Sequence, residues 1–83
     1  MAEANLFTFS HKEVVEALIK KQNLHEGLWG LYIEFGIAAA NSGPSQDALS
    51  PSAIVPVLKI GLQRATEKTN LTMDATEVNP AKV

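Results

Sequence analysis

Residues 28–40 constrain the fold of this chain more than any other stretch. They read Leu-Trp-Gly-Leu-Tyr-Ile-Glu-Phe-Gly-Ile-Ala-Ala-Ala, and a large apolar side chain occupies every second position from Trp29 to Ile37. A period of two is typical of a β-strand, because successive side chains point to opposite faces of a sheet. One face of this strand is therefore continuously apolar, and a second element must cover it.

A helix beginning at His11 is predicted to provide that cover. Ser10 and Glu13 have the spacing of a capping box, in which each side chain bonds the backbone amide of the other residue. Asn23 is expected to end the helix in a left-handed conformation. The apolar positions recur at i, i+1, i+4 and i+5 and form one stripe: Val14, Val15, Leu18 and Ile19.

A second long strand is predicted over residues 54–64, where alternate positions again carry large apolar side chains. The two long strands should pair as an antiparallel hairpin. Residues 41–52 between them are rich in Gly, Ser and Pro, and we interpret them as a plain connecting loop. Pro56 lacks an amide hydrogen and is expected at a bulge, an edge or the start of the strand.

The remaining segments add little regular structure. Residues 71–73 are predicted to form a short edge strand, and residues 5–9 are either a short strand or an extended lead-in. Residues 76–83 are predicted to be a flexible tail. The fold class is therefore α+β in a single domain over residues 1–83: one N-terminal helix packed on a small antiparallel sheet of two long hairpin strands plus one or two short strands.

Composition excludes several functional classes. The 83 residues contain no cysteine, so disulfides and thiolate zinc sites are excluded, and a core this small often needs a partner subunit. The net charge is -2 and the basic residues are scattered, which argues against nucleic acid as a partner. The chain has neither a secretory signal nor an apolar run of about 20 residues, so no membrane association and a cytoplasmic location are expected.

Three polar residues near the middle of the hairpin are candidate ligand-binding residues. Glu34 shares a strand face with Tyr32, and Lys59 occupies the corresponding side of the partner strand. We favour a cross-strand ion pair between Glu34 and Lys59 on a half-exposed face. The alternative is a carboxylate whose pKa is raised beneath an apolar cover.

The histidines are weaker candidates for chemistry. His25 could form an acid/base pair with Glu26, but we favour a surface histidine that carries no catalytic role. His11 and His25 lie at opposite ends of the predicted helix, so no metal site is predicted. The chain contains no hydrolase triad order, zinc-protease motif or dinucleotide-binding motif, and no cofactor is predicted.

The sheet face opposite the helix gives the main functional hypothesis. It combines three glycines, Gly30, Gly36 and Gly61, with four apolar residues, Leu28, Tyr32, Val55 and Val57. Glycine inside a strand often marks the close approach of another backbone. Because one helix covers only one face, we expect a second copy of the chain to cover the other, giving a homodimer or a higher oligomer.

Two functions remain open from the sequence. The favoured one is a small homo-oligomeric interaction or accessory module without catalytic activity. The alternative is a small-ligand-binding or catalytic protein whose pocket forms between subunits, using Tyr32, Glu34, Lys59 or His25.

Overall fold

A computed structural model describes residues 5–82 and confirms an α+β fold with an N-terminal helix. The helices and strands, in chain order, are α1 His11–Gln22, β1 Leu28–Phe35, β2 Ala38–Ser42, a single 3-10 turn Gln46–Ala48, β3 Ser50–Ile54, β4 Val57–Ala65, β5 Thr72–Asp74 and α2 Ala75–Val78. Neither helix in this part of the chain is long and apolar enough to cross a membrane.

Local sequence determines both ends of α1, as predicted. The Glu13 amide donates to Ser10 Oγ at 3.1 Å, and the Ser10 amide donates to Glu13 Oε1 at 3.0 Å. Two hydrogen bonds with Ser10 hold the pKa of the Glu13 carboxyl below its ordinary value. The bond from the Ser10 backbone amide has the larger effect, and the bond with the Ser10 side chain has the smaller one. At the other end Asn23 has a φ of 59°, and its amide donates to the carbonyls of Ile19 and Lys20.

The main sheet has three strands in the order β4-β1-β5, and both pairings are antiparallel. Leu31 lies opposite Leu62 and Glu34 lies opposite Lys59, which confirms the predicted hairpin. The short strand β5 confirms the predicted edge strand near residues 71–73, with bounds shifted by one residue. Residues 5–9 form no strand, so the first of the two alternatives for this segment was wrong.

The hairpin is not continuous, and strands occupy both ends of the predicted loop. The register shifts after Glu34, and the Gly36 amide donates to the Pro56 carbonyl at 2.9 Å. Beyond this point β2 pairs with β3 as a separate two-stranded sheet. Pro56 cannot donate a ladder hydrogen bond, and a bulge bends the strand that contains it. The prediction of one strand over 28–40 was therefore wrong, and the prediction of a plain loop over 41–52 holds only for the residues between β2 and β3.

The hydrophobic core is small and lies between α1, α2 and the sheet. Three of the described residues, Val15, Ile19 and Ala75, are fully buried. Partly buried apolar side chains surround them: Leu24, Trp29, Leu31, Leu62, Met73 and Val78. The helical stripe therefore does meet the predicted face of β1, at Trp29 and Leu31.

Helix α1 is too short to cover the rest of that face. Its 12 residues extend about 18 Å. Strands β1 and β2 together run from residue 28 to residue 42, and a strand of roughly 15 residues extends about 50 Å. Consequently Phe35 and Ile37 are exposed to solvent. The prediction that the helix covers the whole apolar face holds as far as Leu31 and fails beyond it.

The chain itself covers part of the opposite face. Strands β4 and β5 both run antiparallel to β1, so they are parallel to each other and residues 66–71 must pass from one side of β1 to the other. The Leu71 carbonyl oxygen lies 3.2 Å from the position that a Cβ on Gly30 would occupy. Gly30 thus makes room for the chain's own backbone, where the sequence analysis expected a second copy. Around Gly61, by contrast, no atom lies within 4 Å of such a Cβ.

The predicted tail overlaps a short helix and a polar contact. Helix α2 occupies residues 75–78, and Asn79 directly follows it. The Asn79 side chain donates from Nδ2 to the Leu24 carbonyl at 2.8 Å, and the Asn79 carbonyl accepts from His25 Nδ1 at 2.8 Å. The last residue of the predicted tail, Val83, lies outside the described residues.

Candidate interaction surface

The part of the hairpin beyond α1 forms an extension that we call the β-arm, residues 33–60. At its outer end β2 and β3 pack chiefly on each other. A two-stranded hairpin of this kind is marginally stable by itself in water. Its large apolar side chains are 37% to 81% exposed: Ile33, Phe35, Ile37, Leu49, Ile54, Val55, Val57, Leu58 and Ile60.

The β-arm also carries little charge. Its 28 residues include three charged side chains, Glu34, Asp47 and Lys59. Monomeric soluble proteins rarely expose a contiguous apolar patch larger than a few hundred Å², and a larger patch usually marks an interaction site. An exposed segment with many large apolar residues and few charges therefore resembles one half of an interface.

The overall dimensions lead to the same conclusion. The molecule measures 66 × 43 × 20 Å with a radius of gyration of 18.8 Å, whereas a compact domain of this length has about 12 Å. Its accessible surface is 6907 Å², whereas a compact monomer of 8.9 kDa exposes about 4,800 Å². The excess is about 2,100 Å², which is more than the roughly 800 Å² that each partner buries in a standard interface.

Three of the predicted site residues lie together at the base of the β-arm. Tyr32 donates from its hydroxyl to Glu34 Oε1 at 3.2 Å. Lys59 lies opposite Glu34 in the ladder, as predicted. Between these two side chains, however, no nitrogen–oxygen distance within 4.0 Å occurs in the described structure, so the expected ion pair is not formed. The face beside Tyr32 is open, because its cross-strand neighbour is Gly61.

His25 lies apart from these residues. It is half-buried in the turn between α1 and β1, and its ring bonds the carbonyl of Asn79. This contact connects the end of α1 to the C-terminal segment and gives His25 a structural role. Among residues 5–82 no cluster of three or more possible metal ligands occurs.

A contact between Arg64 and Trp29, which was not predicted from the sequence, supports the start of β1. The guanidinium of Arg64 lies over the indole ring of Trp29, 5.6 Å from the ring centroid. Trp29 Nε1 donates to the Glu26 carbonyl at 3.0 Å, and Gly27, with a φ of 97°, leaves the space that the guanidinium occupies. The predicted pairing of Glu34 with Lys59, extended to the strand ends, also places Trp29 opposite Arg64. This contact could therefore have been predicted from the sequence.

A groove of about 450 Å³ runs between α1 and β4, and we call it the β4 groove. Its apolar lining comes from the helix, the following turn and both long strands: Leu18, Leu24, Trp29, Ile60 and Leu62. Within the described structure β4 has one neighbouring strand, β1, so the groove lies beside a free sheet edge. Unpaired backbone groups along such an edge can pair with a strand from another chain.

Comparisons with protein-family models, with curated proteins and with solved structures find no match for this chain. The class that the structure defines is an α+β protein with a small helix-covered core and a projecting apolar β-arm.

Proposed function

We propose that this protein is a homo-oligomeric interaction or accessory module without catalytic activity, and that it assembles through the β-arm. The observation that carries the proposal is the set of nine large apolar side chains exposed on one charge-poor extension. The cysteine-free composition suits a reducing compartment, so the cytoplasm is the location we propose with it.

The size of the exposed surface supports assembly over a monomeric role. A chain with about 2,100 Å² of surface beyond that of a compact monomer can bury a standard interface and retain a free surface. The core offers little compensation, because few of the described residues are fully buried. Small domains with thin cores commonly gain stability from a partner subunit.

The interface proposed here is displaced from the one that strict alternation predicts. Val55 and Val57 lie on the β-arm and remain part of it, and Tyr32 lies at its base. Leu28 is half-buried near the end of the sheet that residues 66–71 cross, and we leave it out. The sequence prediction put Val57 on the same sheet face as Tyr32 by counting alternate residues. The bulge after Glu34 interrupts that alternation.

Light scattering at micromolar concentration tests this proposal. We expect wild-type protein to have at least twice the chain mass of 8.9 kDa, and Val57→Asp to lower it, because a carboxylate in an apolar interface must be desolvated. Leu71→Asp is the matched control, since Leu71 is 61% exposed, Val57 is 54% exposed, and Leu71 lies outside the β-arm. A wild-type monomer would contradict the proposal, as would an oligomer that responds equally to both variants.

The second candidate is a ligand-binding or catalytic pocket formed between subunits. It is favoured by the grouping of Tyr32, Glu34 and Lys59 at the base of the β-arm, on an open face that a second chain would complete. Native mass spectrometry of the purified oligomer tests it. A small molecule retained by wild-type protein and lost in Glu34→Gln would support it, and an unliganded oligomer would favour the first function.

A further inference from the structure

The segment before α1 has the properties of a strand without a neighbouring strand. Residues 5–9 form neither helix nor strand, and they pair with no strand of the described structure. Leu6, Phe7 and Phe9 are 67% to 78% exposed. In an extended chain Phe7 and Phe9 point to one side and Leu6 points to the other. An added strand of this sequence would therefore present two aromatic side chains to one surface.

The free edge of β4 offers a surface that matches this pattern. The strand is nine residues long, and the β4 groove lies on its helix-facing side. Side chains of a strand added beside β4 would alternate between this groove and the opposite face of the sheet. Phenylalanines at every second position would enter the groove between Ile60 and the end of α1.

The geometry points to strand exchange between two copies: residues 5–9 of one chain add to β4 of a second copy, with Phe7 and Phe9 in its β4 groove. The arrangement is reciprocal in a two-fold dimer, since each chain offers one segment and one edge. The inference rests on the proposed self-association and specifies an additional contact within it.

Reach favours a second copy over the segment's own chain. His11, at the start of α1, bonds from Nε2 to the Asn70 carbonyl near β5, at 3.1 Å. Leu18 and Lys21, which line the β4 groove, lie about 10–15 Å further along the helix. The sheet order also puts β1 between β5 and β4. Five extended residues span about 17 Å, so an intramolecular path would use the segment's whole length to reach the groove.

The phenylalanine contacts would supply part of a dimer interface, in addition to the β-arm. One buried aromatic side chain removes about 150–250 Å² from solvent. Four phenylalanines, two from each chain, would therefore bury about 600–1,000 Å², compared with roughly 1,600 Å² in a standard interface. Backbone hydrogen bonds along the added strand supply the remaining specificity, as in other β-strand additions.

The test uses the full chain and compares two sides of the same segment. The variant Phe7→Ser/Phe9→Ser removes both groove contacts, and Leu6→Ser is the matched control on the other side of the added strand. Sedimentation gives the dissociation constant of each variant. Hydrogen exchange gives the protection of its β4 amides. We expect the double variant to weaken dimerisation at least about a hundredfold. We also expect it to abolish the concentration-dependent protection of β4, whereas Leu6→Ser changes affinity by less than about tenfold.

Phe9 directly precedes the helix cap, so Phe7→Ser alone is measured in parallel, with α1 content followed by circular dichroism. The same loss of β4 protection in Phe7→Ser, with the helix intact, supports the inference. A dimer that shows no protection of β4 but still dissociates with Val57→Asp overturns the strand exchange and leaves the proposed function standing. Protection of the β4 amides that point away from β1, if it is independent of concentration, indicates intramolecular pairing and also overturns it. A chain that remains monomeric at all concentrations overturns both proposals.

Discussion

The Gly36 amide donates to the Pro56 carbonyl at 2.9 Å, and this contact marks the place where the main sheet gives way to the two-stranded sheet of β2 and β3. On one side of it lies a three-stranded sheet with a helix, and on the other a two-stranded extension. The cover of α1 ends earlier, at Leu31, so the last residues of β1 already lack a second layer.

Apolar residues of β1 within and beyond the cover of α1 should respond differently to truncation. Leu31 packs against the core, so Leu31→Ala should lower the free energy of unfolding by about 2–5 kcal/mol at every protein concentration. Phe35 is half exposed in the single chain, so Phe35→Ala should cost much less at low concentration and more where chains associate. Urea unfolding at two protein concentrations measures both, and equal losses for Phe35→Ala would argue against burial in an oligomer.

Two glycines of the sheet should differ in their tolerance of a side chain. A Cβ on Gly30 would lie 3.2 Å from the Leu71 carbonyl oxygen, so Gly30→Ala should destabilise the fold by about 1–3 kcal/mol by displacing the crossing segment. Gly61→Ala is the control, since no atom lies within 4 Å of its Cβ, and it should be neutral or stabilise by up to about 1 kcal/mol. Denaturant midpoints of the two variants give the comparison. The same midpoint for both would contradict close backbone contact at Gly30.

Asn79 should matter more for stability than its position near the chain end indicates. Its side chain donates to the Leu24 carbonyl at 2.8 Å in a partly buried setting, so Asn79→Ala should cost about 1–2 kcal/mol. Lys82→Ala, at an exposed position beyond it, should change stability by less than about 0.5 kcal/mol. Thermal unfolding followed by circular dichroism measures both variants. An Asn79→Ala protein as stable as Lys82→Ala would show that this hydrogen bond does not hold the segment.

Glu13 should make helix stability depend on pH in the acid range. The pKa of its carboxyl is held below the ordinary value by the Ser10 amide, so ionised Glu13 favours the folded state. The contribution is fully present above the ordinary pKa of a glutamate and is lost as the pH falls through the lowered value in the folded state. Glu13→Gln should flatten this part of the stability–pH curve, measured by urea unfolding between pH 2 and pH 6 as roughly the range where glutamate titrates. An unchanged slope would exclude a contribution from the capping box.

Much of the fold follows from local or alternating patterns. Ser10, Glu13 and Asn23 determine the ends of α1 through contacts within a few residues, so the sequence alone predicts them. The pairing of Glu34 with Lys59 follows from two alternating strands joined as a hairpin. The predicted site group of Tyr32, Glu34 and Lys59 is close in space for the same reason, whereas His25 is directed elsewhere by a residue 54 positions away.

The missed features have physical reasons of their own. Strands β2 and β3 are rich in Ala, Ser and Pro and show no apolar alternation, so their pairing through the backbone leaves no periodic signal. The passage of residues 66–71 over Gly30 depends on which side of β1 the last strand joins. Composition carries no information about that choice. The helix cover ends at Leu31 because α1 is shorter than the strand ladder. This difference emerges only when the rise per residue of a helix is compared with that of a strand.

The path of residues 66–71 across β1 also orders the events of folding. Strand β5 docks on β1 at Gly30 only after the chain has left β4, so the β1–β4 hairpin is expected to form first and the β5–α2 segment to close over it last. Unfolding should run in the reverse direction, with residues 72–79 detaching as one cooperative unit before the hairpin opens. Detachment of the C-terminal segment is therefore expected to expose Val15 and Ile19 while the β1–β4 pairing stays intact.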